Sequence, residues 1–171
     1  MSMNFDQARS NMVEQQIRPW EVLDARVLEL LETTHREDFV PVRYRKMAFA
    51  DIAIPLDHEQ NMMKPVVEGR LLQALELKDD ETVLEIGTGS GFISACLAKM
   101  AKHVVSVDIH KQFSKDAAAK LKEIDLDNVE FATGDVMGGW QPEQAHDVVV
   151  VTGSVPEIPD HFRGWVNPGG R

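Results

Sequence analysis

The most informative feature of the chain is a glycine-rich turn near its middle. Gly87, Gly89 and Gly91 alternate directly after an apolar run at residues 83–86. Glycine adopts the positive φ angles of tight turns and leaves no side chain between the backbone and a bound molecule. Asp108 follows about twenty residues later, where nucleotide-binding units place the carboxylate that binds the ribose. The spacing predicts a site for an adenosine-like ligand.

The same spacing separates the candidate nucleotides. A dinucleotide fingerprint, G-x-G-x-x-G/A, needs a small third residue, whereas Phe92 stands at that place. A phosphate-binding loop needs a lysine after its last glycine, and the nearest one downstream is Lys99. Glu85 favours a cationic or hydroxyl-bearing ligand, because an ionised carboxylate only accepts hydrogen bonds. S-adenosylmethionine is therefore the predicted cofactor, against the alternative of an ordinary tight turn with acids that face water.

The segments on either side of this turn are predicted to form an α/β domain. Near-continuous apolar strands alternate with helices, which is typical of a doubly wound, mostly parallel sheet covered on both faces. Pro65 is well placed to begin the helix before the first of these strands. The predicted strands cover residues 82–86, 103–108, 129–132 and 147–152, and the predicted helices cover residues 92–101 and 113–124.

The first part of the chain is predicted to be a helical extension. Residues 6–34 show helical periodicity with a break at Pro19, and Asp24 stands near the start of the second helix. Residues 47–56 are predicted to be extended. We therefore expect two domains: residues 1–64 form an N-terminal helical extension with a substrate-side loop, and residues 65–171 form the nucleotide-binding α/β domain.

Composition narrows the classes of partner. A formal net charge of −10 argues against nucleic acid, whose binding needs clustered lysine and arginine. The single cysteine, Cys96, cannot form an internal disulfide, and no apolar run has the length of a membrane span. The histidines are scattered without metal-ligand spacing, so no metal site is predicted. These features favour a cytoplasmic protein without a membrane partner, and they leave its oligomeric state open.

Several short segments match one enzyme family in collinear order. From about residue 13 to the last residue, the chain resembles the protein-L-isoaspartate O-methyltransferases. This family is a branch of the class I S-adenosylmethionine-dependent methyltransferases, which have a Rossmann-like fold. The family continues for several strands beyond this point, so the resemblance predicts a C-terminally truncated chain. The matching segments are residues 36–41 (Arg-Glu-Asp-Phe-Val-Pro), 53–56 (Ala-Ile-Pro-Leu), 75–78, 83–91, 134–135, 139–140, 151–152, 156–159 (Pro-Glu-Ile-Pro) and 168–170.

The resemblance implies transfer of a methyl group to the carboxylate of an L-isoaspartyl residue in a damaged protein or peptide. A carboxylate with a reference pKa near 4 is already ionised at neutral pH, so this reaction needs no general base. Asp108 would bind the ribose, and the segment at residues 134–136 would lie near the adenine. The implied cofactor-binding residues are Glu85, Gly87, Thr88, Gly89, Ser90, Gly91, Asp108, Ile109, Gly134, Asp135 and Val136.

One segment departs from the family on the side of the methyl acceptor. Where the family has a sequence like Gln-Thr-Ile-Ser-Gln-Pro, residues 60–65 read Gln-Asn-Met-Met-Lys-Pro. Asn61 takes the place of the threonine and can still form hydrogen bonds, whereas Met63 takes the place of the serine and cannot donate one. Lys64 adds a cation that could attract a carboxylate. The alternative to an isoaspartyl methyltransferase is a cofactor-binding relative with another acceptor, or a regulatory binding module without turnover.

Overall fold

Helices dominate the first part of the chain and a parallel sheet dominates the rest in the computed structural model, which describes residues 4–171. The chain divides into two units, Met1–Glu76 and Leu77–Arg171. The boundary expected from sequence lay after residue 64. It lies later in the structure because the helix Pro65–Leu75 packs against the preceding helices of the first unit.

The first unit contains the helices α1, α2 and α3. Helix α1 (Phe5–Met12) continues through a π-helical turn (Val13–Ile17) and a 3-10 turn (Arg18–Trp20). Helix α2 (Ala25–Thr33) begins after Asp24, whose side chain accepts hydrogen bonds from the amides of Arg26 and Val27 and so caps the helix. Helix α3 (Pro65–Leu75) starts with its proline, where the missing N–H costs nothing. These positions confirm the helical predictions for residues 6–34 and for Pro65.

The predicted extended stretch at residues 47–56 is wrong for most of its length. A 3-10 helix (Val42–Met47) and successive turns lead to β1 (Ile54–Pro55), which pairs with β2 (Asn61–Met62) as a short antiparallel hairpin. Turns also bury apolar side chains, and here Ala48 and Phe49 reach the core from turn backbone. Burial of apolar residues alone therefore did not distinguish strand from turn at this place.

A four-stranded parallel sheet organises the second unit in the order β5-β4-β3-β6. The strand order reverses at β3, since the chain proceeds from β3 through β4 to β5 and then crosses to the other side for β6. This arrangement confirms the predicted doubly wound α/β class. The elements are β3 (Thr82–Ile86), α4 (Phe92–Met100), β4 (His103–Asp108), α5 (Lys111–Glu123), β5 (Val129–Thr133) and β6 (Val148–Val151).

The two faces of the sheet are covered by different parts of the chain. Helices α4 and α5 contact each other and pack on β4. On the opposite face Leu84 and Ile86 join an apolar cluster with Phe162 and Trp165, which belong to the 3-10 helix Asp160–Trp165. Strand β3 is therefore almost completely buried, as its apolar sequence predicted.

The last residues pair with the start of β6 by backbone hydrogen bonds. His146 forms a parallel bridge with Val166, and the amide of Val149 donates to the carbonyl of Arg171. Asp147 accepts hydrogen bonds from Asn167 and Thr82, and these bonds lower the pKa of its carboxyl group to about 2.

Within residues 4–171, no helix is long and apolar enough to cross a bilayer.

Candidate functional site

The predicted cofactor residues of the second unit meet at one edge of the sheet. They follow the carboxyl ends of β3, β4 and β5, which are neighbours in the strand order. Backbone hydrogen bonds join these ends, since the amide of Gly87 donates to the carbonyl of Val107 at 2.8 Å and that of Gly134 to Asp108 at 3.0 Å. In doubly wound sheets, ligands bind outside the carboxyl ends of the strands where the strand order reverses.

The glycine turn has a backbone that other residues adopt poorly. Gly87, Gly89 and Gly91 have φ angles of 107°, 52° and 84°. A side chain at Gly87 would also collide with the segment after β6, because an added Cβ would lie 2.4 Å from the amide nitrogen of Gly153. The last glycine of the turn allows α5 to approach, since an added Cβ would lie 2.7 Å from that of Ala117.

Asp108 connects the glycine turn with the loop after β4. Its Oδ2 accepts a hydrogen bond from the amide of Gly89 at 3.0 Å, and its Oδ1 accepts one from the amide of His110 at 2.8 Å. A carboxylate has about four acceptor sites, so each oxygen retains capacity for a ligand hydroxyl. The next residue, Ile109, is 58% exposed at the same edge and offers an apolar surface beside the carboxylate.

Glu85 points away from this edge into the layer between β3, β4 and α4. Its Oε2 accepts hydrogen bonds from the hydroxyls of Ser94, on α4, and Ser106, on β4. Its other oxygen has no hydrogen-bond partner among residues 4–171. Burial raises the pKa of the Glu85 carboxyl group to about 7, against the lowering effect of the serine hydroxyls. The sequence suggested that Glu85 faces a ligand, whereas the structure places it beneath the turn.

The hydroxyl network extends from Glu85 to the turn itself. Thr88 is buried, and its Oγ1 lies 2.7 Å from Oγ of Ser106, which in turn donates to Glu85. Ser94 and Ser106 were not among the residues singled out from the sequence. The sequence contained a pattern that could have identified them, because each is a polar residue at the buried face of an otherwise apolar helix or strand.

In the loop after β5, backbone atoms are more available to a ligand than side chains. Trp140 packs directly on Gly134, where an added Cβ would lie 2.2 Å from its Cδ1. The Asp135 carboxylate accepts a hydrogen bond from the amide of Met137 at 2.9 Å. Val136 is buried in the apolar cluster that covers the face of the sheet opposite α4 and α5. Its side chain therefore contributes to the core, and its backbone remains as the part that could face a ligand.

The chemistry of this edge fits a nucleoside without phosphates. Asp108 and Asp135 supply acceptors, and the exposed Ile109 supplies an apolar surface. A cation that sequence reasoning missed, Lys120 on α5, donates to the carbonyl of Ser90 at 3.3 Å. Its ammonium group is thus engaged by the backbone of the turn. Among residues 4–171, no three His, Cys, Asp or Glu side chains form a group that could hold a metal ion.

The predicted acceptor-side residues lie in the first unit. Asn61 is exposed in β2, and Met63 follows β2 with a half-buried side chain. The carbonyl of Met63 accepts a hydrogen bond at 2.7 Å from Nη2 of Arg36, a residue that is itself completely buried. The residues predicted from sequence are therefore divided between the units, with Asn61 and Met63 in the first and the cofactor-binding set in the second.

Comparison with known proteins places this arrangement in a family. The model of the protein-L-isoaspartate(D-aspartate) O-methyltransferase family matches residues 7–171. The chain belongs to this family. It is 33% identical over 168 residues to the protein-L-isoaspartate O-methyltransferase of Brucella anthropi, covering 98% of this chain and 77% of that protein. It is 37% identical over 150 residues to the enzyme of the same name from Myxococcus xanthus, covering 88% of this chain and 71% of that one.

Solved structures support the same fold. A protein-L-isoaspartate O-methyltransferase structure superposes with a TM-score of 0.77 at 24% identity, covering 95% of this chain and 53% of the other. The precorrin 8W decarboxylase of Methanobacterium thermoautotrophicum superposes with a TM-score of 0.57 at 22% identity, covering 68% of this chain and 65% of that one. The chain thus has the class I methyltransferase fold, as the family resemblance implied, and spans about half of the first of these structures.

Proposed function

We propose that this chain transfers the methyl group of S-adenosylmethionine to the carboxylate of L-isoaspartyl or D-aspartyl residues in damaged proteins. The observation that carries the proposal is the family match over residues 7–171, which includes both units. The relatives from Brucella anthropi and Myxococcus xanthus bear the name of this activity. The glycine turn and Asp108 add a site whose chemistry fits the cofactor.

The residues of the second unit would hold the cofactor by hydrogen bonds and apolar contacts, since S-adenosylmethionine has no phosphate groups. Asp108 would accept hydrogen bonds from the ribose hydroxyls while it keeps the turn in place through Gly89. Ile109 and the backbone of residues 134–136 would line the adenine. The buried groups Glu85 and Thr88 would support the turn from below rather than contact the ligand.

The reaction places few demands on acid–base groups. S-adenosylmethionine supplies a methyl group on a sulfonium sulfur, and the acceptor carboxylate is already ionised at neutral pH. The protein would contribute by aligning the acceptor and by excluding water from the reacting groups. Asn61 and Met63 are the proposed acceptor-side residues, because they take the threonine and serine places of the family segment. Residues 156–159 match a family segment that lies near the acceptor, and this match favours a peptide carboxylate as the acceptor.

A cytoplasmic location stays a prediction from the single cysteine.

The direct test is methyl transfer from labelled S-adenosylmethionine to an isoaspartyl peptide, with the normal aspartyl peptide of the same sequence as the matched control. Methyl ester formed on the isoaspartyl peptide alone would support the proposal. Cofactor binding in calorimetry without any ester would favour the binding module or another acceptor, for which Met63 is the motivating observation. Absence of binding by both the cofactor and S-adenosylhomocysteine would refute the cofactor site itself.

Replacement of Asp108 by alanine should weaken cofactor binding about 10- to 100-fold. Hydrogen bonds to a charged acceptor contribute roughly 1.5–3 kcal/mol, which corresponds to that range of affinity. Calorimetric titration with S-adenosylhomocysteine measures the effect. Asp116→Ala removes the same charge from the exposed face of α5 and serves as the control. An unchanged dissociation constant in Asp108→Ala would remove the ribose role from this residue.

Replacement of Met63 by serine should increase the rate of isoaspartyl methylation roughly 2- to 10-fold, if the missing hydroxyl limits the reaction. This range corresponds to one net hydrogen bond of about 0.5–1.5 kcal/mol. The kcat/KM for the isoaspartyl peptide is the quantity to compare. Met47→Ser, at a methionine that is 43% exposed in the same unit, controls for the general effect of the change. No gain in Met63→Ser would mean that the acceptor chemistry does not depend on a hydroxyl there.

A further inference from the structure

A single buried guanidinium group holds both ends of the segment that carries the acceptor-side residues. Nη1 of Arg36 donates to the carbonyl of Ala48, and Nη2 donates to the carbonyl of Met63 at 2.7 Å. These carbonyls bracket the β1–β2 hairpin, which contains Asn61. One side chain thus joins two points of the backbone that are far apart along the chain.

The guanidinium group is itself fixed by a carboxylate on α3. Nε of Arg36 lies 2.8 Å from Oε2 of Glu68, and Nη2 lies 3.2 Å from Oε1 of the same side chain. Both side chains are almost completely buried, with relative exposures of 0% and 1%. A two-point contact of this kind sets the plane of the guanidinium group as well as its position. The direction of the bonds to Ala48 and Met63 is therefore determined by α3.

The hairpin has little stability of its own. Its strands are two residues each, Ile54–Pro55 and Asn61–Met62. Its loop contains His58 and Glu59 with φ angles of 55° and 57°, a region that non-glycine residues rarely adopt. Isolated two-stranded hairpins are at best marginally stable in water. The conformation of this hairpin must therefore be maintained by contacts outside it, which include the buried side chains of Ile54 and Met62 and the two bonds from Arg36.

We infer that Arg36, oriented by Glu68, is a positioning residue that clamps residues 48–63 and so sets the orientation of Asn61 and Met63 toward the methyl acceptor. This inference rests on the proposed function for its catalytic consequence, whereas the clamp itself is a property of the first unit. Loss of the clamp should loosen the hairpin and weaken acceptor binding. It should leave cofactor binding by the second unit unchanged.

The chain offers a matched control in a second buried ion pair of the same unit. Arg9 pairs with Glu37, and both side chains are about 5% exposed or less. The further hydrogen bonds of Arg9 go to Asp6 and to the carbonyl of Glu32, outside residues 48–63. Disruption of this pair should disturb the unit to a similar degree without releasing the hairpin.

Two variants of each pair make the test independent of a folding failure. Arg36→Lys keeps the charge, but a single ammonium group cannot reproduce the fork that reaches Glu68 and both carbonyls. The double variant Arg36→Met with Glu68→Met removes both charges and replaces them with apolar volume, a change that buried ion pairs often tolerate. Arg9→Lys and the double variant Arg9→Met with Glu37→Met are the corresponding controls.

We expect the Arg36 variants to raise the KM for an isoaspartyl peptide about 10-fold, the factor that corresponds to one lost positioning contact. We expect kcat and the dissociation constant for S-adenosylhomocysteine to change about 2-fold or less. Amide hydrogen exchange at Leu56 and Gln60, whose amides donate within the hairpin, should accelerate by roughly 10-fold or more. The Arg9 variants should show none of these changes.

The possible outcomes separate the inference from the proposed function. Unchanged exchange at Leu56 and Gln60 in the Arg36 variants would overturn the clamp, and so would equal changes in the Arg9 variants. A faster exchange with an unchanged KM would overturn the catalytic role of the positioning. If the unsubstituted protein forms no methyl ester, the proposed function fails, and the exchange measurement still decides whether Arg36 holds the hairpin.

Discussion

Replacement of Gly87 by alanine should abolish measurable cofactor binding and lower the free energy of unfolding by about 3 kcal/mol or more. The φ angle of 107° at Gly87 is unfavourable for any residue with a Cβ. The new Cβ would also lie 2.4 Å from the amide nitrogen and 2.7 Å from Cα of Gly153. These are backbone atoms, so the collision cannot be relieved by rotation of a side chain.

The backbone around Gly87 also has few ways to move. The amide of Gly87 donates to Val107 at 2.8 Å, and its carbonyl accepts a bond from the Thr152 hydroxyl at 2.7 Å. The amides of Thr152 and Gly153 both donate to the carbonyl of Ile86. A shift large enough to accommodate the methyl group would therefore break contacts between β3 and both neighbouring strands. The glycine turn would lose its shape at the point where the proposed cofactor would bind.

Calorimetry with S-adenosylhomocysteine and denaturant unfolding measure the two effects of Gly87→Ala. Gly164→Ala provides the matched control, because an added Cβ at Gly164 meets nothing within 4 Å. We expect this control to bind the ligand normally and to unfold within about 0.5 kcal/mol of the unsubstituted protein, as for most unconstrained surface changes. Normal binding by Gly87→Ala would mean that the backbone of this turn does not form the cofactor site.

The elements around the glycine turn could be predicted from the sequence because local patterns determine them. The apolar run of Thr82–Ile86 and its following glycines predicted a buried strand and a turn, and the structure has both at those positions. The alternation of strands and helices predicted the doubly wound class, and the structure shows that the strand order reverses at β3. The stretch at residues 47–56 had no such pattern, since its apolar residues are buried through turns, and its prediction was wrong.

The supporting contacts of the site could not be predicted, because they depend on residues distant in sequence. Alternation along β3 places Glu85 and Leu84 on opposite faces, but both faces are buried, so the sequence does not show which one receives the carboxylate. The choice is made by Ser94 and Ser106, which meet Glu85 only in the folded sheet. Arg36 is a similar case, because its burial depends on carbonyls that the hairpin brings to it.

Glu85 should make the protein less stable as pH rises, and Glu85→Gln should remove this dependence. Burial raises the pKa of its carboxyl group in the folded protein to about 7 from a reference value of 4.5, and the charge of Asp108 adds to the increase. Below pH 4.5 both the folded and unfolded states bind the proton, so the stabilising contribution is fully present. Between pH 4.5 and about 7 the unfolded state releases the proton first, and the free energy of unfolding falls. At pH values above about 7 the free energy of unfolding has fallen by about 3 kcal/mol in total.

Glutamine is the right substitution because it removes the charge and preserves the hydrogen bonds. Its amide oxygen can still accept from Ser94 and Ser106, and its NH2 group replaces the Glu85 oxygen that has no partner among residues 4–171. Denaturant unfolding at pH 5 and at pH 8 gives the pH dependence of each protein. Other groups with shifted pKa values, such as Glu68 and His146, contribute equally to both proteins, so their effects cancel in the difference.

The matched control is Glu123→Gln, the same chemical change at an exposed position of α5. We expect this variant to keep the pH dependence of the unsubstituted protein. The stability of Glu85→Gln relative to the unsubstituted protein should be greater at pH 8 than at pH 5 by about 2.5 kcal/mol, because part of the total loss already occurs below pH 5. A Glu85→Gln protein that loses as much stability with rising pH as the unsubstituted one would contradict the argument. In that case the carboxylate beneath the glycine turn would be solvated or paired well enough to ionise at its ordinary pKa. The hydroxyl network would then hold a fully charged group at neutral pH instead of a partly protonated one.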